Sequence, residues 1–382
     1  MFSSQQIARF NSLPTPFYYY DTHLLDETLA ALKAATPAGW HVHYALKANA
    51  HPLILESIRK AGLGADCVSG NEVKRAIGCG FKGGQIVFAG VGKSDWEINY
   101  ALDQSIFSFN AESRQELEVI DQLAGAKNKK ANVALRINPN VDAFTHKYIT
   151  TGLEENKFGI NPHEFEEILA LAGKLEHISL TGLHFHIGSQ ITDLTVFKNL
   201  CTRVNEINRW FIQKGFSPRH INLGGGLGIN YREPDKDAIV DFTSYFNVFR
   251  QFLELLPGQE IHFELGRAIV AQCGSLISRV LYVKHGISTD FAILDAGMTE
   301  LIRPALYQAY HKIENISRTE YPAVKKYDVV GPICESSDCF GKAVELPETS
   351  RGDLVAIRSA GAYGEVMSNR YNLRDEVQSV FS

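Results

Sequence analysis

Four short stretches carry residue types at spacings that suit chemistry. In HVHYALKANAHPLI, residues 41–54, an apolar run ends at Lys47, just before Pro52 opens a helical pattern. Alternation along an extended strand puts His43, Ala45 and Lys47 on one face and Val42, Tyr44 and Leu46 on the other. A lysine at a strand end is ordinarily a surface group whose stem lies along apolar neighbours. In a confined, partly apolar site the same amine is kept near neutrality and can form a Schiff base with a carbonyl. The second stretch, HINLGGGLGINY, runs from an apolar segment straight into Gly224, Gly225 and Gly226, with Gly228 beyond. Adjacent glycines bare their N–H groups to a close ligand such as phosphate, although three glycines also make a plain flexible turn. The third, IHFELGRAIV, brings Glu264, Gly266 and Arg267 together. The fourth, GLHFHIGSQ, puts His184 and His186 on one face with Ser189 just beyond. Such a pair is satisfied by hydrogen bonds, stacks on an aromatic ring, or binds metal. No third ligand of the right kind converges on it, so no metal is expected.

These residues need a scaffold that gathers them. Apolar runs predict strands near 42–47, 63–67, 85–88, 105–109, 132–137, 179–186, 219–223 and 260–264. Helical spacing predicts helices over 52–61, 70–79, 94–103, 112–124, 162–174, 194–214 and 238–256. Eight strands with intervening helices imply an α/β fold, a parallel (β/α)8 TIM-type barrel, with an open doubly wound sheet as the alternative. In a barrel, chemistry sits at the C-terminal ends of the strands, and phosphates often bind in the loops after strands 7 and 8. Those loops here hold the glycine run and Arg267.

After residue 265 the texture becomes β-branched and turn-rich, as in SLISRVLYVKH, FAILDA and DLVAIRSA. Residues 25–264 are therefore assigned to the cofactor-binding barrel, and residues 1–24 with 265–382 to a C-terminal mainly-β domain that the early strand TPFYYYD joins. The connection over residues 138–162 exceeds the ~12–15 residues beyond which a loop is usually functional or disordered, so it reads equally as a lid or substrate contact or as decoration.

Composition removes several classes. A net charge of −5 with no basic block argues against nucleic acid as a partner. No apolar run approaches the ~20 residues of a membrane span, and the N-terminus lacks the basic-then-apolar pattern of a signal peptide. The cysteines at 67, 79, 201, 273, 334 and 339 form no C-x-x-C pair, which argues for reduced thiols in a cytoplasmic protein.

A Schiff-base lysine, a phosphate nest, a stacking histidine and a buried carboxylate share one chemical answer, pyridoxal 5'-phosphate. A carboxylate beside its ring nitrogen keeps that nitrogen protonated, and a protonated ring is an electron sink for a carbanion. A plain salt bridge to Arg267 is the other reading of Glu264. At this point YALKAN, GLHFHIGSQI, NLGGGLG, ELGRAIVA, MTELIRPALYQAYH, GPICESSD and AGAYGEVMSNRYN together resemble the diaminopimelate decarboxylases, pyridoxal-phosphate enzymes of the alanine-racemase-like fold class. The resemblance runs in order over nearly the whole chain.

The resemblance implies decarboxylation of meso-2,6-diaminopimelate to L-lysine, the last step of lysine biosynthesis, by a cytoplasmic homodimer with shared active sites. It implies that Lys47 holds the cofactor and that His186 stacks on the ring. Ser189, Gly226 and Arg267 would line the phosphate, and Glu264 would meet the ring nitrogen. Asp66, Gly224, Gly225 and Gly266 would complete the cofactor site. Arg303 and Tyr307, with Arg267, would bind substrate. Cys334 would be the proton donor, Glu335 would hold the far end of the substrate, and Tyr363 would touch both cofactor and substrate. Leu265 stands where proline is common, Glu300 where aspartate is common and Ser337 where many members carry glycine. None of these departures removes a group with a chemical role.

The far end of diaminopimelate carries a carboxylate and an ammonium, and Arg303 and Glu335 could supply one partner for each. Related ornithine-type enzymes typically show Cys-Asp where this chain has Cys334-Glu335. Decarboxylation of ornithine, arginine, lysine or carboxynorspermidine stays open as an alternative. So do a racemase, which needs bases on both cofactor faces, and a non-enzymatic cofactor carrier, which would resemble the barrel alone.

Overall fold

A computed structural model describes residues 2–141 and 157–382. Most of the 138–162 connection, residues 142–156, lies outside the described residues. The chain forms two compact units, one of residues 29–228 and 241–266, the other of residues 1–28, 229–240 and 267–382. Residues 229–240, which run on from the glycine stretch within the range assigned from sequence to the barrel, fall in the second unit.

The first unit is a closed barrel of eight parallel strands. In order they are Trp40–Ala45, Gly64–Cys67, Ile86–Phe88, Ser108–Ala111, Ala131–Ile137, Ile178–Phe185, His220–Asn222 and Glu260–Leu265. The first strand closes on the eighth, with His41 opposite His262 and His43 opposite Glu264. The fourth strand begins later than its apolar run suggests. Ser105, at φ 51°, ends the preceding helix in a left-handed turn and leaves Ile106 outside the ladder. Three helices open on the same device. Ser69, Ser94 and Ser113 each stand three residues before a glutamate; Glu97 accepts the Ser94 N–H, while Glu72 and Glu116 accept the N–H of the residue before the serine, Val68 and Glu112. Such caps fix where a helix begins, and so where each βα loop ends.

Imidazoles fill the lower barrel interior. His43 faces Gly64 and His220 faces Gly182 in the strand register. An added Cβ at Gly64 would lie 2.3 Å from His43 Nδ1, and at Gly182 2.4 Å from His220 Nε2, so these two glycines make room for the rings. Burial lowers the pKa of His43 to about 4 and that of His220 to about 3, so both rings are neutral at physiological pH.

The second unit is an eight-stranded sheet. Its longest strand, Gly274–His285, pairs with Phe17–Tyr20, Asp290–Leu294 and Leu354–Ile357. Helices Ser4–Asn11 and Thr22–Ala35, absent from the sequence prediction, flank the early strand. Leu25, Leu29 and Leu32 in the latter are buried at helical spacing. Among the described residues no helix is long and apolar enough to cross a membrane.

Candidate active site

The alternation expected through Lys47 stops at Ala45. Residues Leu46–Ala48 form a single 3-10 turn with Leu46 and Ala48 buried. This turn, rather than strand pleating, aims the Lys47 side chain, which is about one-third exposed. Its Nζ donates to Asp66 Oδ2 at 2.9 Å. Asp66 sits opposite Ala45 on the second strand and is fully buried. Burial and the neighbouring Glu264 charge raise its pKa, against the pull of Lys47. Asp66 Oδ1 is buried with no hydrogen-bond partner among the described residues.

Glu264, next to last in the eighth strand, lies in a different environment. Its Oε1 accepts from Asn222 Nδ2 at 2.7 Å and Asn110 Nδ2 at 3.2 Å, and its Oε2 accepts from His184 Nε2 at 3.0 Å. Burial alone would raise this carboxyl, but His184, by charge and hydrogen bond, and then the Lys47 charge hold it well below the usual carboxylate range. Of the two buried acids, Glu264 with three donors is the one whose pKa is lowered, and Asp66 the one whose pKa is raised. A carboxylate offers about four lone-pair sites, so Oε2 keeps acceptor capacity for one more donor. Asn110, His184 and Asn222 complete this layer from three other strands. The signal for the two asparagines was a polar residue at or near the C-terminal end of an apolar strand.

His186 lies just past the end of the sixth strand, half-buried, and its Nδ1 accepts from the Gly225 N–H at 3.3 Å. Burial, then Arg136 and Lys47, push its pKa well down, so the ring is neutral. The loops after strands 6 and 7 are bonded to each other, Ile191 N–H to Gly226 O and Gly228 N–H to Ile191 O, both at 2.9 Å. Ser189 lies in the first of these loops. The glycines answer to this crowding. A Cβ on Gly224 would lie 2.2 Å from Phe185 O, and one on Gly225 1.9 Å from Glu264 O. Gly224 and Gly226 also take φ of 65° and 108°. Backbone packing therefore requires the glycine run whatever it binds. A Cβ on Gly266 would lie 3.0 Å from the Ala48 side chain. Beneath the loops of strands 3 to 5, buried Lys93 donates to Glu116, and Arg136 to Glu112 at 2.8 Å.

The second unit carries a cationic cluster of its own. Arg267 and Arg303, both buried, donate to the hydroxyl of Tyr231 at 2.5 and 2.8 Å. Burial would raise the Tyr231 phenol, but the two guanidiniums more than reverse this and lower it. Arg303 Nη1 also donates to His311 Nε2 at 3.1 Å, while His311 Nδ1 donates to the Arg358 carbonyl at 2.9 Å. Tyr363, held at φ 57°, lays its ring 4.8 Å from the Arg267 guanidinium. Tyr231 and His311 were not singled out from sequence, because tyrosine and histidine in loops carry no distinctive spacing. Tyr307 closes the short helix Arg303–Tyr307.

Cys334 and Glu335 have different neighbours. Asp338, buried, accepts the Met298 and Ile333 N–H groups at 2.6 and 2.7 Å and so fixes the loop. Cys334 is exposed, with its N–H on Asn372 Oδ1 at 3.3 Å, and Glu335 Oε1 accepts from the Tyr371 hydroxyl at 2.7 Å.

Among known proteins, residues 23–271 match the family described as "Pyridoxal-dependent decarboxylase, pyridoxal binding domain". A diaminopimelate decarboxylase of Bacteroides thetaiotaomicron is 57% identical over 371 residues, covering 97% of this chain and 96% of that protein. One of Aquifex aeolicus is 40% identical over 366 residues, covering 96% and 86%. The crystal structure of diaminopimelate decarboxylase from Helicobacter pylori complexed with L-lysine is similar with a TM-score of 0.92 at 40% identity, covering 99% of this chain and 94% of that one.

The His311 environment sets a pH dependence. Burial, then the Arg303 charge, lower its pKa from 6.5 to about 3. The unfolded chain therefore takes up a proton near pH 6.5 that the native protein refuses until about pH 3, and stability is lost as pH drops across that window. Replacing His311→Gln should make the acid limb of a urea-stability profile shallower by up to about 1.4 kcal/mol per pH unit there. An unchanged limb would mean that native His311 is already protonated.

Proposed function

The chain belongs to the pyridoxal-dependent decarboxylases, and from that premise we propose that it converts meso-2,6-diaminopimelate to L-lysine and carbon dioxide, the last step of lysine biosynthesis. Its cofactor is pyridoxal 5'-phosphate. The barrel residues fit that group. Lys47 provides an amine, Glu264 a charged carboxylate with one lone pair to spare, and Asp66 Oδ1 and Asn110 Oδ1 are buried polar atoms with no hydrogen-bond partner among the described residues. The single observation that carries the reading is Glu264, ionised in a buried layer with three donors.

When bound, the cofactor supplies a carbonyl for amine capture and a ring that draws the electron pair left at the substrate Cα. Each chain residue then has a stated task. Lys47 Nζ would hold the cofactor, and Asp66 would accept from Nζ whenever that amine is free. Glu264 would accept a hydrogen bond from the ring nitrogen and favour its protonated form. Neutral His186 would serve the ring, and Ser189, Gly224, Gly225, Gly226, Gly266 and Arg267 would serve the rest of the cofactor. As the Cα–carboxylate bond breaks and carbon dioxide leaves, Cys334 delivers a proton from Sγ to Cα. Arg303, with Tyr307 and Arg267, binds carboxylate, Glu335 holds the far ammonium, and Tyr363 touches cofactor and substrate.

The runner-up is a decarboxylase of another basic amino acid. Purified protein given meso-diaminopimelate, ornithine, lysine or arginine separately should release carbon dioxide from the first by at least about 100-fold in kcat/KM over the others, since an unpaired buried charge costs several kcal/mol. Faster release from ornithine or lysine would overturn the substrate assignment. Glu264→Gln should retain cofactor absorbance but lose ~10²–10³ in kcat, as removal of preorganised electrostatics does.

The same reading makes the protein a cytoplasmic homodimer with shared sites. All six cysteines are free thiols, as a reducing compartment allows. Cys334 and Glu335 are exposed beside Leu373, 95% exposed, and Tyr371, 47% exposed, an apolar surround that suits a partner subunit. Mixing dissociated Lys47→Ala and Cys334→Ala chains should return about a quarter of wild-type activity, because half of randomly paired dimers then hold one intact site. No return of activity would place each Cys334 in its own chain's site.

A further inference from the structure

The opposite mouth of the barrel, where the strands begin, holds three groups that the decarboxylase reading does not use. His41 and His262 are cross-strand neighbours where the first strand closes on the eighth. Glu260 shares the face of His262, two residues before it. One ligand atom from each of His41, Glu260 and His262 lies within 4.8 Å of the others. His262 Nε2 and Glu260 Oε2 are 3.5 Å apart. Four-coordinate zinc with nitrogen and oxygen ligands near 2.0–2.2 Å spaces its donors by about 3.3 Å. That pair is already at ligand spacing, and only the exposed His41 ring has to swing inward.

Hydrogen bonding behind the pair decides what the pair lacks. The Gln85 carbonyl can only accept, so His43 Nδ1, 3.2 Å away, carries the hydrogen. With its hydrogen on Nδ1, His43 turns its Nε2 to His262 Nδ1 at 2.8 Å. The Nε2 of His262 is thereby left facing the Glu260 carboxylate at 3.5 Å, a place for a cation, proton or metal ion, between the two. An imidazole ligand whose other N–H is fixed by a buried acceptor is also the usual support for a metal-bound histidine. The mouth opens into a cavity of about 540 Å³ lined by Thr36, Gly62, Gln85, His41, Glu260 and His262, among others.

We propose that His41, Glu260 and His262 form a binding site for a divalent metal ion of the zinc class, two imidazoles and one carboxylate with a fourth position open to this cavity. The ligand set favours a borderline ion over calcium or magnesium, which prefer oxygen donors. A proton shared by His262 and Glu260 is the competing occupant.

Full-length, untagged protein carrying its cofactor, freed of adventitious metal, should be titrated with Zn2+ against a chromophoric chelator. One equivalent per chain is expected. His41→Ala and Glu260→Gln, both at exposed positions, should each weaken binding by at least about 10-fold. Co2+ as probe should give visible d–d bands of a nitrogen- and oxygen-ligated site without a thiolate charge-transfer band, and Cys334→Ala should bind as the parent does. Zn2+ should raise the melting temperature of the parent and not of His41→Ala. Absence of stoichiometric Zn2+ uptake would leave the proton as occupant and overturn the proposal. Affinity unchanged in both variants, or a thiolate band lost in Cys334→Ala, would overturn it by placing the metal elsewhere.

Discussion

A carboxylate taken out of water gives up its charge unless donors replace the solvent it has lost, and Glu264 keeps its charge through His184, Asn110 and Asn222. Each donor comes from a different strand. The arrangement exists only because strands 4, 6, 7 and 8 reach the same height in the closed barrel, and because closure puts Glu264 opposite His43 on the first strand. Two residues past that strand, the turn Leu46–Ala48 delivers Lys47 to Asp66. A shift of one residue in the closing register would turn Glu264 from the interior layer to the helix-facing side.

The two buried acids of the barrel thus take different roles from similar burial. Asp66, bonded to Lys47, is pushed up, while Glu264, with three donors, is pulled down. Environments that separate neighbouring carboxyls in this way are how one site holds both a fixed charge and a responsive one. The second unit applies the same principle to cations. Two buried guanidiniums share the Tyr231 hydroxyl, and His311, kept neutral, accepts from one of them, so positive charge is concentrated for an anionic ligand.

Much of this was legible in the sequence for physical reasons. Buried parallel strands are continuous apolar runs, so all eight could be read from 42–47 to 260–264, and the residues at their ends marked Lys47, Glu264 and the glycine run as chemical. Local pattern could not show that Lys47 leaves the pleat for a 3-10 turn, since a three-residue turn has no periodicity. Nor could it show that the glycines are demanded by carbonyls of Phe185 and Glu264, which lie far off in sequence. Tyr231 and His311 were missed for the same reason, their meaning lying wholly in convergence, whereas Asn110 and Asn222 did stand at or near strand ends. The pairing of His41 with His262 likewise arises only when the last strand meets the first.

A charged Glu264 whose Oε2 is shared with a cationic ring nitrogen would show in the 15N chemical shift of protein reconstituted with pyridoxal phosphate labelled at the ring nitrogen, recorded near neutral pH. The parent should give a pyridinium shift that moves to the neutral pyridine value in Glu264→Gln. A neutral pyridine shift in the parent, or the same pyridinium shift in both proteins, would contradict it.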